Sequence, residues 1–183
     1  AVAVGLPFGV HGAWLLLRGS PRTRGAVLVI GLLAAASGSL VFAWQWALTG
    51  DALRNLCTLW WPYDRIGFGP GHGVTEAGHN LNLARINTRF SLRVGRHDLF
   101  GWPYLSWVFA PVGLLAWRRR AEAWLLGSLL PVLVLLYALY WVGAWLYGPR
   151  YYVEALGALA VLSAAGITAL AGKWAPARGR RWR

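Results

Sequence analysis

The chain has 183 residues, of which 57% are hydrophobic, 14% aromatic and only 13% charged. A soluble domain averages about 25% charged residues, so this composition argues against an ordinary water-soluble domain and for a lipid environment. The net charge is +12, but most basic residues fall in three clusters that flank apolar stretches: Arg18/Arg22/Arg24, Arg118/Arg119/Arg120 and Lys173/Arg178/Arg180/Arg181/Arg183. Basic clusters so placed set membrane orientation and meet anionic headgroups, which accounts for the charge without nucleic acid.

The expected fold class is all-α: a polytopic membrane helix bundle of about five spans, with a long outer loop containing an amphipathic interfacial helix. All of residues 1–183 read as the C-terminal part of one integral membrane domain. The chain contains no methionine and opens inside an apolar segment, so an upstream part is expected. The first span covers about residues 2–17 and is broken by Pro7 and His11. It has no basic region before it and no small-residue cleavage site after it, which argues against a signal peptide.

The second span, 26–48, is uncharged, and its small residues from Ala34 to Ser39 suit close helix packing in lipid. The third, 99–117, contains Pro103 and Pro111; the fourth, 124–146, contains Pro131; the fifth, 152–172, carries Glu154 near its start. About 20 apolar residues cross a bilayer core. Trp44, Trp46, Trp102, Tyr104, Trp117, Trp124, Trp141, Trp145, Tyr147, Tyr151 and Tyr152 mark the span ends as an aromatic belt. The positive-inside bias places the loop 49–98 and the link 147–151 outside, and the tail 173–183 in the cytoplasm. The localisation is therefore a cell membrane, crossed several times.

Most polar chemistry lies in loop 49–98. Its aromatic run from Leu56 to Tyr63 suits the membrane interface. Cys57, the single cysteine, is expected to be a small buried residue. Asp64 and Arg65 could form a local ion pair. The glycine-rich stretch Gly67–Gly73, with His72 inside it, lacks the Lys-Ser/Thr pair of a phosphate-cradling loop and reads as a tight turn. Its glycines would let backbone approach a bound headgroup.

After His79 the spacing predicts a helix. Leu83, Ile86, Phe90 and Val94 fall within an arc of roughly 80°, and Arg85, Arg89, Arg93 and Arg96 form a stripe beside them. Such a helix can lie on a membrane surface with its arginines on phosphates, or present a plain solvated face. Guanidinium groups bind phosphate in bidentate fashion, so Arg85, Arg89 and Arg93 are candidate contacts for a lipid-linked phosphate. Asp98 is placed to cap the third span. Histidines 72, 79 and 97 lack a usual zinc spacing. No cofactor is evident, although a divalent metal stays open.

The short link is the most specific local pattern: Gly148-Pro149 ends the fourth span, and Arg150, Tyr151, Tyr152 and Glu154 follow. Arg150 and Glu154 stand at helical i,i+4 spacing and could pair. Alternatively Arg150 reaches a lipid phosphate, with both tyrosines lining the cavity.

An outer-face Arg150-Tyr151 followed by a small-residue helix resembles the C-terminal part of polytopic GT-C-type glycosyltransferases, including protein mannosyltransferase and aminoarabinose transferase relatives. The aromatic loop Trp60–Arg65 and the glycines of 67–73 are similar to stretches in bacterial members. The resemblance covers much of 56–172. It implies sugar transfer from a polyprenyl-phosphate-linked donor at the outer face to an unidentified acceptor. It also implies a catalytic acid in an early outer loop upstream, so no catalytic residue is assigned here. The substrate-binding candidates are Arg150, Tyr151, Tyr152, Glu154, Arg85, Arg89, Arg93, Asp64, Arg65 and His72. The alternatives are a noncatalytic membrane subunit or a transporter or flippase fragment, which would need more polar residues within the spans.

Overall fold

The computed structural model describes residues 2–98, 100, 107–143 and 150–174. These residues form six α-helices: α1 (Val2–Arg18), α2 (Pro21–Thr49), α3 (Leu81–Asp98), α4 (Phe109–Ala116), α5 (Ala121–Tyr137) and α6 (Leu156–Trp174). Short 3-10 turns occupy Leu56–Leu59 and Arg150–Ala155. No strand occurs among the described residues; two isolated bridges do, Ile66 with Tyr140 and Gly69 with His79. The start of the third span, Trp102, Tyr104, Trp145, Tyr147, Gly148-Pro149 and most of the basic tail lie outside the described residues.

Among the described residues, two helical segments are long and apolar enough to cross a membrane: Pro21–Thr49, with 29 residues, and Arg150–Gly172, with 23. Helix α5 is apolar but shorter, and α4 has only eight residues. α2 has clear local punctuation. The Ser20 side chain accepts from the Thr23 N–H, Pro21 takes the first turn where its missing N–H costs nothing, and Gly50 closes the far end in the left-handed conformation at φ 72°.

The chain divides into two compact units. The bundle unit comprises 1–7, 85–138 and 142–183; the loop unit comprises 8–84 and 139–141. In the bundle unit the core gathers Ala110, Ala123, Leu129, Leu133, Tyr152, Ala155, Ala158, Leu159 and Leu162, from α4, α5, the second 3-10 turn and α6. Its closest seam is α4 against α6. A Cβ on Gly113 would stand 1.8 Å from the Leu162 carbonyl oxygen, and one on Gly166 would stand 2.2 Å from that of Phe109. Two missing side chains therefore let two backbones touch, as small residues do where helices pack in lipid.

Two expectations change. The fourth apolar stretch does not stay helical to its end: α5 stops at Tyr137, and Leu139–Trp141 joins the loop unit. There the Leu139 carbonyl accepts from the Gly67 N–H at 2.8 Å, which competes with helical pairing. Cys57 is exposed rather than buried, because it lies in a short 3-10 turn with no buried residue. Asp98 is the last residue of α3, and its expected cap on the third span falls on residues outside those described.

Candidate functional site

The candidate residues fall into both units. Arg150, Tyr151, Tyr152, Glu154, Arg85, Arg89 and Arg93 belong to the bundle unit, and Asp64, Arg65 and His72 to the loop unit.

In the bundle unit, α3 has three faces rather than two. Asn87, Ser91 and Gly95 recur at helical spacing and are buried. Ile86 and Phe90 are 51% and 43% exposed, and Arg85, Arg89, Arg93 and Arg96 are exposed beside them. The apolar and basic stripes thus share the open side of the helix, and the small polar stripe packs inward. The reason lies in what covers it. Tyr152, only 3% exposed, is hydrogen-bonded to Ser91, and a buried hydroxyl needs such a partner.

Asn87, Thr88, Ser91, Tyr137, Val142, Tyr151 and Tyr152 line a cleft with about 10 Å³ of water-sized space. That is close to the least volume that holds one water. Tyr137 and Tyr151 stack with centroids 4.6 Å apart. The Arg150 guanidinium donates to the Tyr151 hydroxyl at 2.7 Å and lies 4.8 Å from its ring centroid. The exposed Arg150 thus stands at the rim, held by a residue that lines the cleft. Glu154 is exposed, and neither it nor Arg85, Arg89 or Arg93 lines the cleft. Asn87, Thr88, Ser91 and Tyr137 escaped the sequence reading. Asn87 and Ser91 had a signal in the third stripe of α3, but apolar periodicity drew attention to the other two; Tyr137, at the end of α5, had none.

In the loop unit the centre is Asp64, which is 9% exposed. The Tyr140 hydroxyl and the Trp141 indole N–H, at 2.5 and 3.0 Å, both donate to its Oδ1. The expected Asp64–Arg65 ion pair does not form, because the carboxylate turns inward to these neutral donors while Arg65 stays exposed. The glycines shape the surrounding turn. Gly73, at φ 92°, sits where a Cβ would come within 3.0 Å of Trp141, and Gly78, at φ 68°, presses against the Gly69 carbonyl. Only glycine meets both demands cheaply. Cross-bonds complete the turn: Gly69 N–H to His79 carbonyl at 2.8 Å, His79 N–H to His72 carbonyl at 2.6 Å, and Gly73 N–H to Tyr63 carbonyl at 2.8 Å.

His72 Nδ1 lies 3.2 Å from the Gly69 carbonyl. An acceptor there fixes the proton on Nδ1. His79 is 1% exposed and stacks on Phe68 at 5.1 Å. The glycine-rich stretch is therefore a tight turn, as its composition suggested, held by bonds to Tyr63, His79 and Leu139. No group of three or more His, Cys, Asp or Glu side chains suited to a metal occurs among the described residues.

No protein-family model, curated protein or solved structure matches this chain.

Proposed function

We propose that this chain is a membrane-embedded part of a glycosyltransferase that takes a sugar from a polyprenyl-phosphate-linked donor. The observation that carries the reading is Arg150. Its exposed guanidinium is steadied by Tyr151 at the head of the 23-residue apolar segment Arg150–Gly172, on the rim of a polar cleft. A phosphate-headed lipid needs those three things together: a cation at the end of an apolar helix, room for its tail along that helix, and polar groups beside the headgroup.

The cleft is too small for a sugar in this state, so the phosphate sits at its rim and a single oxygen-sized group enters it. Arg150 then stabilises the charge that gathers on the departing phosphate, which lowers the barrier to transfer. The exposed Arg85, Arg89, Arg93 and Arg96 with Ile86 and Phe90 fit a helix lying on headgroups. The five-span arrangement with 49–98 and 147–151 outside belongs to the same proposal. α2 supports it, since none of its apolar window is buried.

The test replaces Arg150 with Ala in the full-length protein in nanodiscs. Loss of a charged hydrogen bond is worth about 1.5–3 kcal/mol, so polyprenyl-phosphate binding should weaken by roughly 10- to 150-fold and transfer should fall with it. Arg150→Lys should retain part of both, because it keeps charge but loses the planar fork. Unchanged binding in the Ala variant removes Arg150 from the site.

A further inference from the structure

The turn between α4 and α5 holds a cavity that the reading at Arg150 leaves unused. Trp117, Arg120, Glu122, Ala123 and Leu126 line it, and it offers about 340 Å³ of water-sized space, against about 10 Å³ in the cleft beside Arg150. That volume falls in the range of small-ligand pockets, about 300–1,000 Å³. Hydrogen bonds fix the turn. The Arg120 N–H donates to the Trp117 carbonyl at 2.8 Å, the Ala123 N–H to the Arg120 carbonyl at 3.2 Å, and the Trp124 indole N–H to the Arg118 carbonyl at 2.8 Å.

Two opposite charges line this cavity without pairing. The Arg120 guanidinium lies 5.3 Å from the centroid of the Trp117 ring. A guanidinium resting on a ring face keeps its in-plane N–H donors for a phosphate. The exposed Glu122 carboxylate takes no hydrogen bond and no ion pair among the described residues. Arg118 and Arg119 are not part of the lining, so the basic triplet does not make this a site for anions alone. A cavity with one free charge of each sign suits a ligand that carries both a phosphate and an amine.

The position of the cavity names the source of that ligand. Trp117 closes one apolar helix and Trp124 stands in the first turn of the next, where tryptophan meets the headgroup layer of a membrane. Pockets between membrane helices beside basic clusters take lipid headgroups. Ala123 and Leu126 continue the wall along apolar α5, which an acyl chain can follow.

We propose that this cavity binds the headgroup of an ethanolamine phospholipid, with Arg120 on the phosphate and Glu122 accepting from the primary ammonium. The site rests on the membrane reading of the chain and is independent of Arg150. Choline has no N–H to donate to Glu122, and a glycerol headgroup carries no cation, so the site discriminates against both.

The experiment is native mass spectrometry of the full-length protein in detergent, titrated with equal amounts of phosphatidylethanolamine, phosphatidylcholine and phosphatidylglycerol. The wild type should retain the ethanolamine lipid over the other two by roughly two- to fivefold, the scale of a partly exposed charge pair. Glu122→Gln should unfold at the same temperature and lose that preference. Arg120→Gln should lower binding of all three lipids, whereas Arg119→Gln, which removes the same charge outside the cavity, should keep the preference. Glycerophosphoethanolamine, which has no acyl chains, should not displace the lipid at equal concentration; displacement overturns the lipid assignment. Lipid bound without headgroup preference, or a preference that survives Glu122→Gln, overturns this site and leaves the membrane reading standing. A protein that binds no lipid overturns both. Should Glu122→Gln fail to fold, unchanged binding in Arg120→Gln overturns the proposal.

Discussion

The two long apolar segments, Pro21–Thr49 and Arg150–Gly172, differ in what covers them. The second has 39% of its apolar window buried and is locked to α4 through paired glycines; the first has none buried. Similar composition thus serves two purposes. α6 is a packing element whose small residues admit a neighbouring backbone. α2 exposes Leu28, Ile30, Leu33, Leu40 and Trp46 together, a larger apolar face than a monomeric soluble protein tolerates. Small residues alone do not decide the difference, since Ala34–Ser39 of α2 are exposed and Gly38 meets no neighbour, while Gly166 of α6 meets a backbone.

The sharpest way to break this contrast is Gly113→Val. Even its Cβ would lie 1.8 Å from the Leu162 carbonyl, so α4 and α6 must separate. We expect a loss of about 4 kcal/mol or more, at the exceptional end for single substitutions, read as a collapse of the thermal unfolding transition in detergent. A well-folded Gly113→Val protein would show that the seam is not close. The next effect should come from Leu33→Lys in α2. A lysine at the centre of a membrane helix costs about 3 kcal/mol of insertion free energy, so the fraction inserted in a microsome assay should fall sharply. If a partner protein rather than lipid covers α2, insertion will not respond. The smallest effect belongs to Gly38→Ala, where a Cβ meets nothing within 4 Å. Stability should move by no more than about 0.5 kcal/mol, as at other unconstrained surface positions; a large loss would reveal a close neighbour against α2.

Local structure was legible where its signals are local. The stripes of α3 announce a helix, whereas the caps Ser20 and Gly50 carry α2 over Pro21–Thr49, beyond the apolar stretch 26–48. What escaped depends on distant partners. The run after Pro131 is apolar enough to continue as helix, but α5 stops at Tyr137 because residues 139–141 are drawn to positions 64–67, more than seventy residues away. The buried face of α3 was missed for a related reason. Asn87 and Ser91 look like solvent-facing residues until Tyr152, from the other end of the chain, supplies a hydroxyl beside them. The contact between Arg150 and Tyr151 is local in sequence, whereas the division of the candidates between two units depends on distant pairings.

The pairing of Asp64 with Tyr140 spans 76 positions, and that separation sets a schedule for synthesis. At about 5–20 residues per second, the loop around Asp64 waits roughly 4–15 s before its second half leaves the ribosome. During that interval a carboxylate, five glycines that can adopt positive φ between 67 and 78, and the exposed Trp60 and Trp61 have no closing partner. A nascent loop in that condition is open to proteases and to chaperones that recognise aromatic segments. Slowing translation between codons 80 and 139 should lengthen that exposure.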